Sequence, residues 1–194
     1  MRIGIDISQV AFEHTGVSRY VERLVSSVIS QGHAHEYVLF GASLRRKQVL
    51  EAFANALKKK YTNVSSVIVP IPPTLLDILW NRLHIVPVEW IIGNVDVFWS
   101  SDWTQPPLKA AKGVTTIHDL VIFTYPQDAS PEPHIDIKQG QFRANIVGVH
   151  TRRLYWVKEE CDQIFCDSEA TRNDIIKYLS IPKHKLQVVY PGYP

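Results

Sequence analysis

A chain of 194 residues with 45% apolar and 21% charged residues can build one sizeable core and carries no mark of disorder. A formal net charge of +2 is too small to make nucleic acid the main partner. The two cysteines, Cys161 and Cys166, have no metal-ligand spacing, and Cys166 inside an apolar run reads as a reduced, buried thiol of a cytoplasmic protein.

Arg2 to Ile7 is strand-like, and Asp6 interrupts it too early for a signal peptide. A polar loop, Ser8 to Thr15, ends at Gly16. A helix is expected from about Val17 to Gln31, with Val17, Tyr20, Val21, Leu24, Val28 and Ile29 on one face and Gly32 as its stop. Tyr37 to Phe40 is the second strand. Leu44 to Lys60 reads as the second helix, with Leu44, Val49, Leu50, Phe53, Ala56 and Leu57 inside. Val64 to Val69 is the third strand, closed by prolines. Thr74 to Leu83 reads as a helix with Leu75, Leu76, Leu79, Trp80 and Leu83 inward, and Trp90 to Gly93 as a further turn. The apolar stretch Ile85 to Ile92 falls far short of the roughly 20 residues needed to span a bilayer.

Asp96 to Trp99 is the next strand, followed by the polar-aromatic loop Ser100 to Gln105. Gly113 opens a β-branched strand that ends by presenting His118 and Asp119. Asp128 to Val149, broken by Pro131, Pro133 and Gly140, reads as a long loop or lid. Arg152 to Glu160 is helical and Gln163 to Cys166 is a strand. Ser168 caps a helix to Leu179, and Lys185 to Tyr190 is the last strand. This alternation predicts an α/β fold, a Rossmann-like, mostly parallel sheet with helices on both faces.

In such a sheet ligands bind beyond the carboxyl ends of the strands. That rule makes His118 and Asp119 candidate site residues, although a histidine bonded to backbone and an aspartate capping a turn would satisfy the same pattern. Gly16 at a strand-to-helix turn would let an anionic ligand approach the helix N-terminus. It would equally serve a tight turn alone. Neither the G-x-G-x-x-G fingerprint nor a Walker motif is present, which counts against a nicotinamide dehydrogenase.

Five pieces in order carry a resemblance. They are Gly16-x-x-Arg19-Tyr20, Asp96-Val-Phe-Trp99, Ile117-His-Asp-Leu120 with Tyr125-Pro126, Cys161-Asp162-Gln-Ile-Phe-Cys-Asp-Ser168, and Val189 to Gly192. Together they resemble the N-terminal half of a family 4 glycosyltransferase of the GT-B fold, in the branch that includes mannosyltransferases of polysaccharide assembly. The resemblance implies a retaining hexosyltransferase that moves a sugar, mannose among the candidates, from a nucleotide-diphosphate sugar to a glycan or lipid-linked acceptor, without a metal or other cofactor.

By the same resemblance His118 lies beside the donor sugar, Asp119 orients it or fixes the loop, and Gly16 lines the diphosphate end. Ser101, Asp102 and Trp103 are placed at the acceptor by their position past a strand end, with the Asp128–Val149 segment beside them. Residues 1–194 would then be a single acceptor-side domain. The nucleotide-sugar domain with its E-x(7)-E motif would begin just after Gly192, and the half alone would be inactive. One glycine in the first loop, where many relatives have two, departs from the family pattern.

Arg45, Arg46 and Lys47 at one end of the second helix, with Lys58, Lys59 and Lys60 at the other, could hold a cytoplasmic domain to anionic lipid at the inner membrane face. A solvated helix face accounts for the same residues. The rival to the enzyme is a non-catalytic binding module of the same fold that docks an acceptor or partner protein.

Overall fold

The computed structural model describes residues 1–124 and 146–192. Seven parallel strands form one sheet: β1 (Arg2–Asp6), β2 (Glu36–Ala42), β3 (Val64–Val69), β4 (Val97–Ser100), β5 (Lys112–Ile117), β6 (Cys161–Cys166) and β7 (Leu186–Val188). Their order is β3-β2-β1-β4-β5-β6-β7, so the winding reverses between β1 and β4. Ile5 pairs with Leu39 on one side and Trp99 on the other, which fixes the register at that reversal. The alternation of strand and helix in the sequence is what the chain becomes.

β2 is buried from Tyr37 to Ala42 because helices cover both faces of the sheet. On one face Ile5, Ile7, Tyr37 and Leu39 pack against α1 (Gly16–Gln31) and α2 (Lys47–Lys60). On the other, Val38, Phe40 and Phe98 pack against α3 (Pro73–Leu76), its continuation to Arg82, and α4 (Glu89–Ile92). Beyond β5, Ile117, Ile164 and Cys166 form a third cluster with Leu154 and Val157 of α6 (Ile146–Glu160) and with Ile175, which follows α7 (Glu169–Asp174).

α1 buries Val21, Val25 and Ile29 at a spacing of four. Its start is set by Thr15, whose hydroxyl accepts the Ser18 N–H at 3.1 Å. α2 begins three residues later than expected. The Ser43 hydroxyl accepts the Arg46 N–H at 3.1 Å, which keeps Leu44 outside the helix and 57% exposed. Ala54, not Ala56, takes the inner position.

After α3 the winding widens to a π-type turn over Asp77–Arg82, so the inward stripe shifts. Leu76 and Trp80 are buried as expected, whereas Leu75 and Leu83 are exposed and Asp77 and Asn81 are buried in their place.

Gly113 is required at the β5–β6 irregularity, where an added Cβ would stand 2.8 Å from the Glu160 carbonyl oxygen. Val121–Thr124, to which the sequence pattern assigns no element, is a short helix, α5. α6 starts at Ile146, well before Arg152. The rest of the Asp128–Val149 segment lies outside the described residues. Cys161 and Cys166 are free and buried, and burial pushes their thiols up to about 12 and about 11.

Candidate active site

A cleft opens at the carboxyl ends of β1, β4 and β5, where the winding reverses. Its floor and walls include Asp6 at the end of β1, Val17 and Tyr20 in the first turns of α1, Ser101 and Asp102 just past β4, and Thr116 and His118 at the end of β5. Parallel pairing of β4 with β5 and of β5 with β6 brings residues distant in sequence to one rim.

His118 Nδ1 lies 2.6 Å from Asp167 Oδ2, a carboxylate just beyond the end of β6. The carboxylate accepts the Nδ1 proton, which leaves Nε2 as the ring atom for a ligand. The Tyr20 ring meets the imidazole edge-on with centroids 4.6 Å apart, and the Tyr20 hydroxyl is 3.3 Å from Thr116 Oγ1. Thr171 Oγ1 donates to the His118 carbonyl at 3.0 Å and holds the backbone. Burial works against the charged imidazolium, but the Asp167 hydrogen bond and the charges of Asp102 and Asp167 outweigh it. The net effect raises the His118 pKa above its ordinary value.

Asp119 does not orient that ring. It is exposed, and its Oδ1 accepts the Val121 N–H at 3.0 Å, which starts α5. This is the turn-capping alternative that the sequence pattern allowed.

Past β4, Ser101 and Thr104 are buried and Trp103 is half-buried. The Ser101 hydroxyl accepts the Trp103 and Thr104 N–H groups at 3.3 Å each, a local turn that shapes the loop. Arg153 of α6, 1% exposed, locks this loop to β5. It donates to the Ser101 carbonyl (2.9 Å), Asp102 Oδ1 (3.4 Å), Thr115 Oγ1 (2.6 Å) and the Thr116 carbonyl (3.2 Å). Trp103 meets His150 edge-on and lines a second, more apolar groove with Phe12, Pro73 and Leu76. Ser101 belongs to both grooves, so the three acceptor candidates sit together.

Gly16 is the exposed first residue of α1, and among the described residues, its own chain neighbours and helix backbone aside, an added Cβ there would meet nothing within 4 Å. Packing does not demand glycine at this point. Of the basic residues on α2 and the turn before it, Arg46 pairs with Glu13 and Lys47 with Glu51, each at 3.0 Å. Lys58–Lys60 lie at the opposite end of the helix, about 20 Å away at 1.5 Å per residue. The six cations therefore form two ends rather than one patch. No helix among the described residues is long and apolar enough to cross a membrane. The described residues hold no group of three or more His, Cys, Asp or Glu arranged for a metal.

The family model described as Glycosyltransferase Family 4 matches residues 14–194, nearly the whole chain. The chain belongs to glycosyltransferase family 4. No curated protein matches it. The all-parallel sheet flanked by helices is the Rossmann-like α/β architecture of the N-terminal half of a GT-B fold, to which family 4 belongs.

The family 4 domain also carries site residues that sequence reasoning missed. Asp167 stands 49 residues from His118 in sequence. The rule that drew attention to the end of β5 applies equally to the end of β6, and would have found it. Asp6 ends β1 and was open to the same rule. Arg153 had no such signal, since nothing in a helix pattern marks a buried arginine.

Proposed function

We propose that this family 4 domain is the acceptor-binding half of a retaining glycosyltransferase. The enzyme would move a hexose, mannose among the candidates, from a nucleotide-diphosphate sugar to a glycan or lipid-linked acceptor. The observation that carries the reading is the His118–Asp167 pair opening into a cleft at the reversal of the sheet, in a chain of this family.

His118, held by Asp167 and Tyr20, hydrogen-bonds a hydroxyl of the donor sugar through Nε2. Asp119 fixes the loop that carries it. Gly16, with open space above it, lets the diphosphate approach the N-terminus of α1. Ser101, Asp102 and Trp103 face the acceptor, Trp103 offering an aromatic face to a sugar ring or lipid chain. The nucleotide is bound by residues outside 1–194, whose cations and helix N-terminus stabilise the leaving diphosphate in a closed cleft.

Peripheral contact with an anionic membrane would rest on Arg45 and Lys58–Lys60, because Arg46 and Lys47 already have acidic partners. Salt-sensitive pelleting with phosphatidylglycerol vesicles supports that contact, and equal recovery with neutral vesicles removes it.

The decisive experiment expresses the complete reading frame and follows transfer from radiolabelled nucleotide sugars. The product's anomeric configuration is read by proton NMR. Retention is expected, with a loss of at least about 100-fold in His118→Ala. Inversion, or full activity in that variant, overturns the reading. Residues 1–194 alone should transfer nothing.

A further inference from the structure

We propose that Asp6 is a hydroxyl-binding residue at the floor of the cleft, where its unpartnered carboxyl oxygen hydrogen-bonds a hydroxyl of a bound sugar. The proposal rests on the reading that this cleft admits a sugar, and assigns the contact to a residue outside the motifs that suggested that reading.

Asp6 is 3% exposed and ends β1 beside the point where the sheet reverses. Its Oδ1 accepts the Ser8 N–H at 2.8 Å. Its Oδ2 is buried and has no hydrogen-bond partner among the described residues, yet Asp6 lines the cleft. Buried polar groups in folded proteins are almost always satisfied, and the exceptions concentrate where a ligand completes the set.

The neighbouring polar groups are already engaged. The Ser101 hydroxyl accepts two backbone N–H groups, Thr116 Oγ1 faces the Tyr20 hydroxyl, and Asp102 is held by Arg153. Burial raises the Asp6 pKa, and the nearby polar groups of Ser8 and Ser101 offset only part of that rise.

The surroundings select the ligand class. The Asp6 carboxyl disfavours a phosphate or carboxylate at its own position on the cleft floor. A hydroxyl both donates and accepts, so it pairs with a carboxyl in either protonation state. Val17, Leu24, Tyr20 and Trp99 supply apolar walls for the C–H face of a pyranose ring. The cleft thus offers one unfilled polar contact on its floor and apolar surface around it, which suits a neutral sugar.

The test titrates the nitrogen-15-labelled chain with D-mannose and D-glucose and follows the Ser8, Tyr20 and Ser101 amides. Wild type should show saturable shifts. Asp6→Leu should bind at least tenfold more weakly, and Asp6→Asn, which can still pair with a hydroxyl, within about threefold of wild type. Thermal unfolding at neutral pH should find Asp6→Asn, which keeps an acceptor for the Ser8 N–H, no less stable than wild type, a result that a purely structural carboxyl would not give.

Asp6→Leu binding within twofold of wild type overturns the assignment of Asp6 and leaves the sugar-cleft reading standing. Absence of binding to wild type overturns the sugar-cleft reading and the assignment together. If Asp6→Leu fails to fold, Asp6→Ala supplies the same comparison. Failure of both to fold makes the carboxyl structural and overturns the proposal.

Discussion

Asp6 and Asp77 are aspartates buried almost equally, at 3% and 5% exposure, and the fold treats them in opposite ways. At the junction of the α3 segment with α6, Asp77 accepts from Asn81 Nδ2 at 3.1 Å and Arg82 Nε at 3.0 Å. It also accepts Arg152 Nη2 on both oxygens, at 3.1 and 2.8 Å. Burial pushes its carboxyl up, but these donors win and hold it below the usual carboxylate range. On the cleft floor Asp6 has one backbone donor and an orphaned oxygen, and burial wins. A carboxyl that fastens two elements together is supplied with enough donors to remain an anion. The cleft carboxyl is left short of donors.

The contrast is broken most directly at Asp77. Asp77→Ala should cost about 2–3 kcal/mol by urea denaturation, below the roughly 3–5 kcal/mol of a fully buried pair because Arg152 and Arg82 keep some solvent access. Because the folded Asp77 pKa is lowered, its stabilisation is present above the ordinary carboxyl value of about 3.8 and disappears as pH falls through the folded value. The gap between Asp77→Ala and wild type should therefore narrow in acid. A cost below about 0.5 kcal/mol at neutral pH would show that the network fastens nothing.

Asp167→Asn should cost about 1 kcal/mol and return His118 toward its ordinary pKa, as read by imidazole NMR titration. The sign here is opposite. A raised histidine pKa gives stability that is complete below the ordinary value of about 6.5 and lost as pH rises through the folded value. The destabilisation of Asp167→Asn should thus be larger at pH 5.5 than at pH 9. An unchanged His118 titration would detach the pair from the site.

Asp6→Asn sharpens the other side of the comparison. A raised carboxyl pKa makes the wild type lose stability as pH climbs from the ordinary value through the folded one, while Asn does not titrate. The melting temperature of Asp6→Asn should draw level with wild type and then exceed it over that window. A variant that is uniformly less stable would place Asp6 with the structural carboxyls. The smallest effect is expected at the exposed Lys112–Asp162 pair, where Lys112→Ala should shift stability by no more than about 0.5 kcal/mol.

How far these features were legible in the sequence depends on the range of the interaction. The apolar runs at Tyr37–Phe40 and Val64–Val69 and the recurrence of Val21 and Ile29 on one face of α1 are local patterns, and the elements form where they predict, although the fully buried Val25 is not among the residues expected inward. The turn that excludes Leu44 hangs on one hydroxyl, Ser43, and a π-type winding follows Leu76 where Asp77 gathers its donors. Hydrophobic periodicity contains neither. In the site, His118 stood out because it ends an apolar strand. The same strand-end rule marks Asp167 after β6, but its pairing with His118 and the Arg153 clamp could not be read this way, because parallel strands join ends that lie tens of residues apart.

The sequence by itself determined the alternating α/β architecture, the strand that delivers His118, and the motifs shared with family 4. Tertiary structure alone decided that Asp167 rather than Asp119 holds the imidazole, that Arg153 sits beneath the Ser101–Asp102 loop, and that one oxygen of Asp6 is left without a partner. The physical reason is that periodicity records which side of an element faces the core, whereas hydrogen bonds between strand ends depend on sheet order and register.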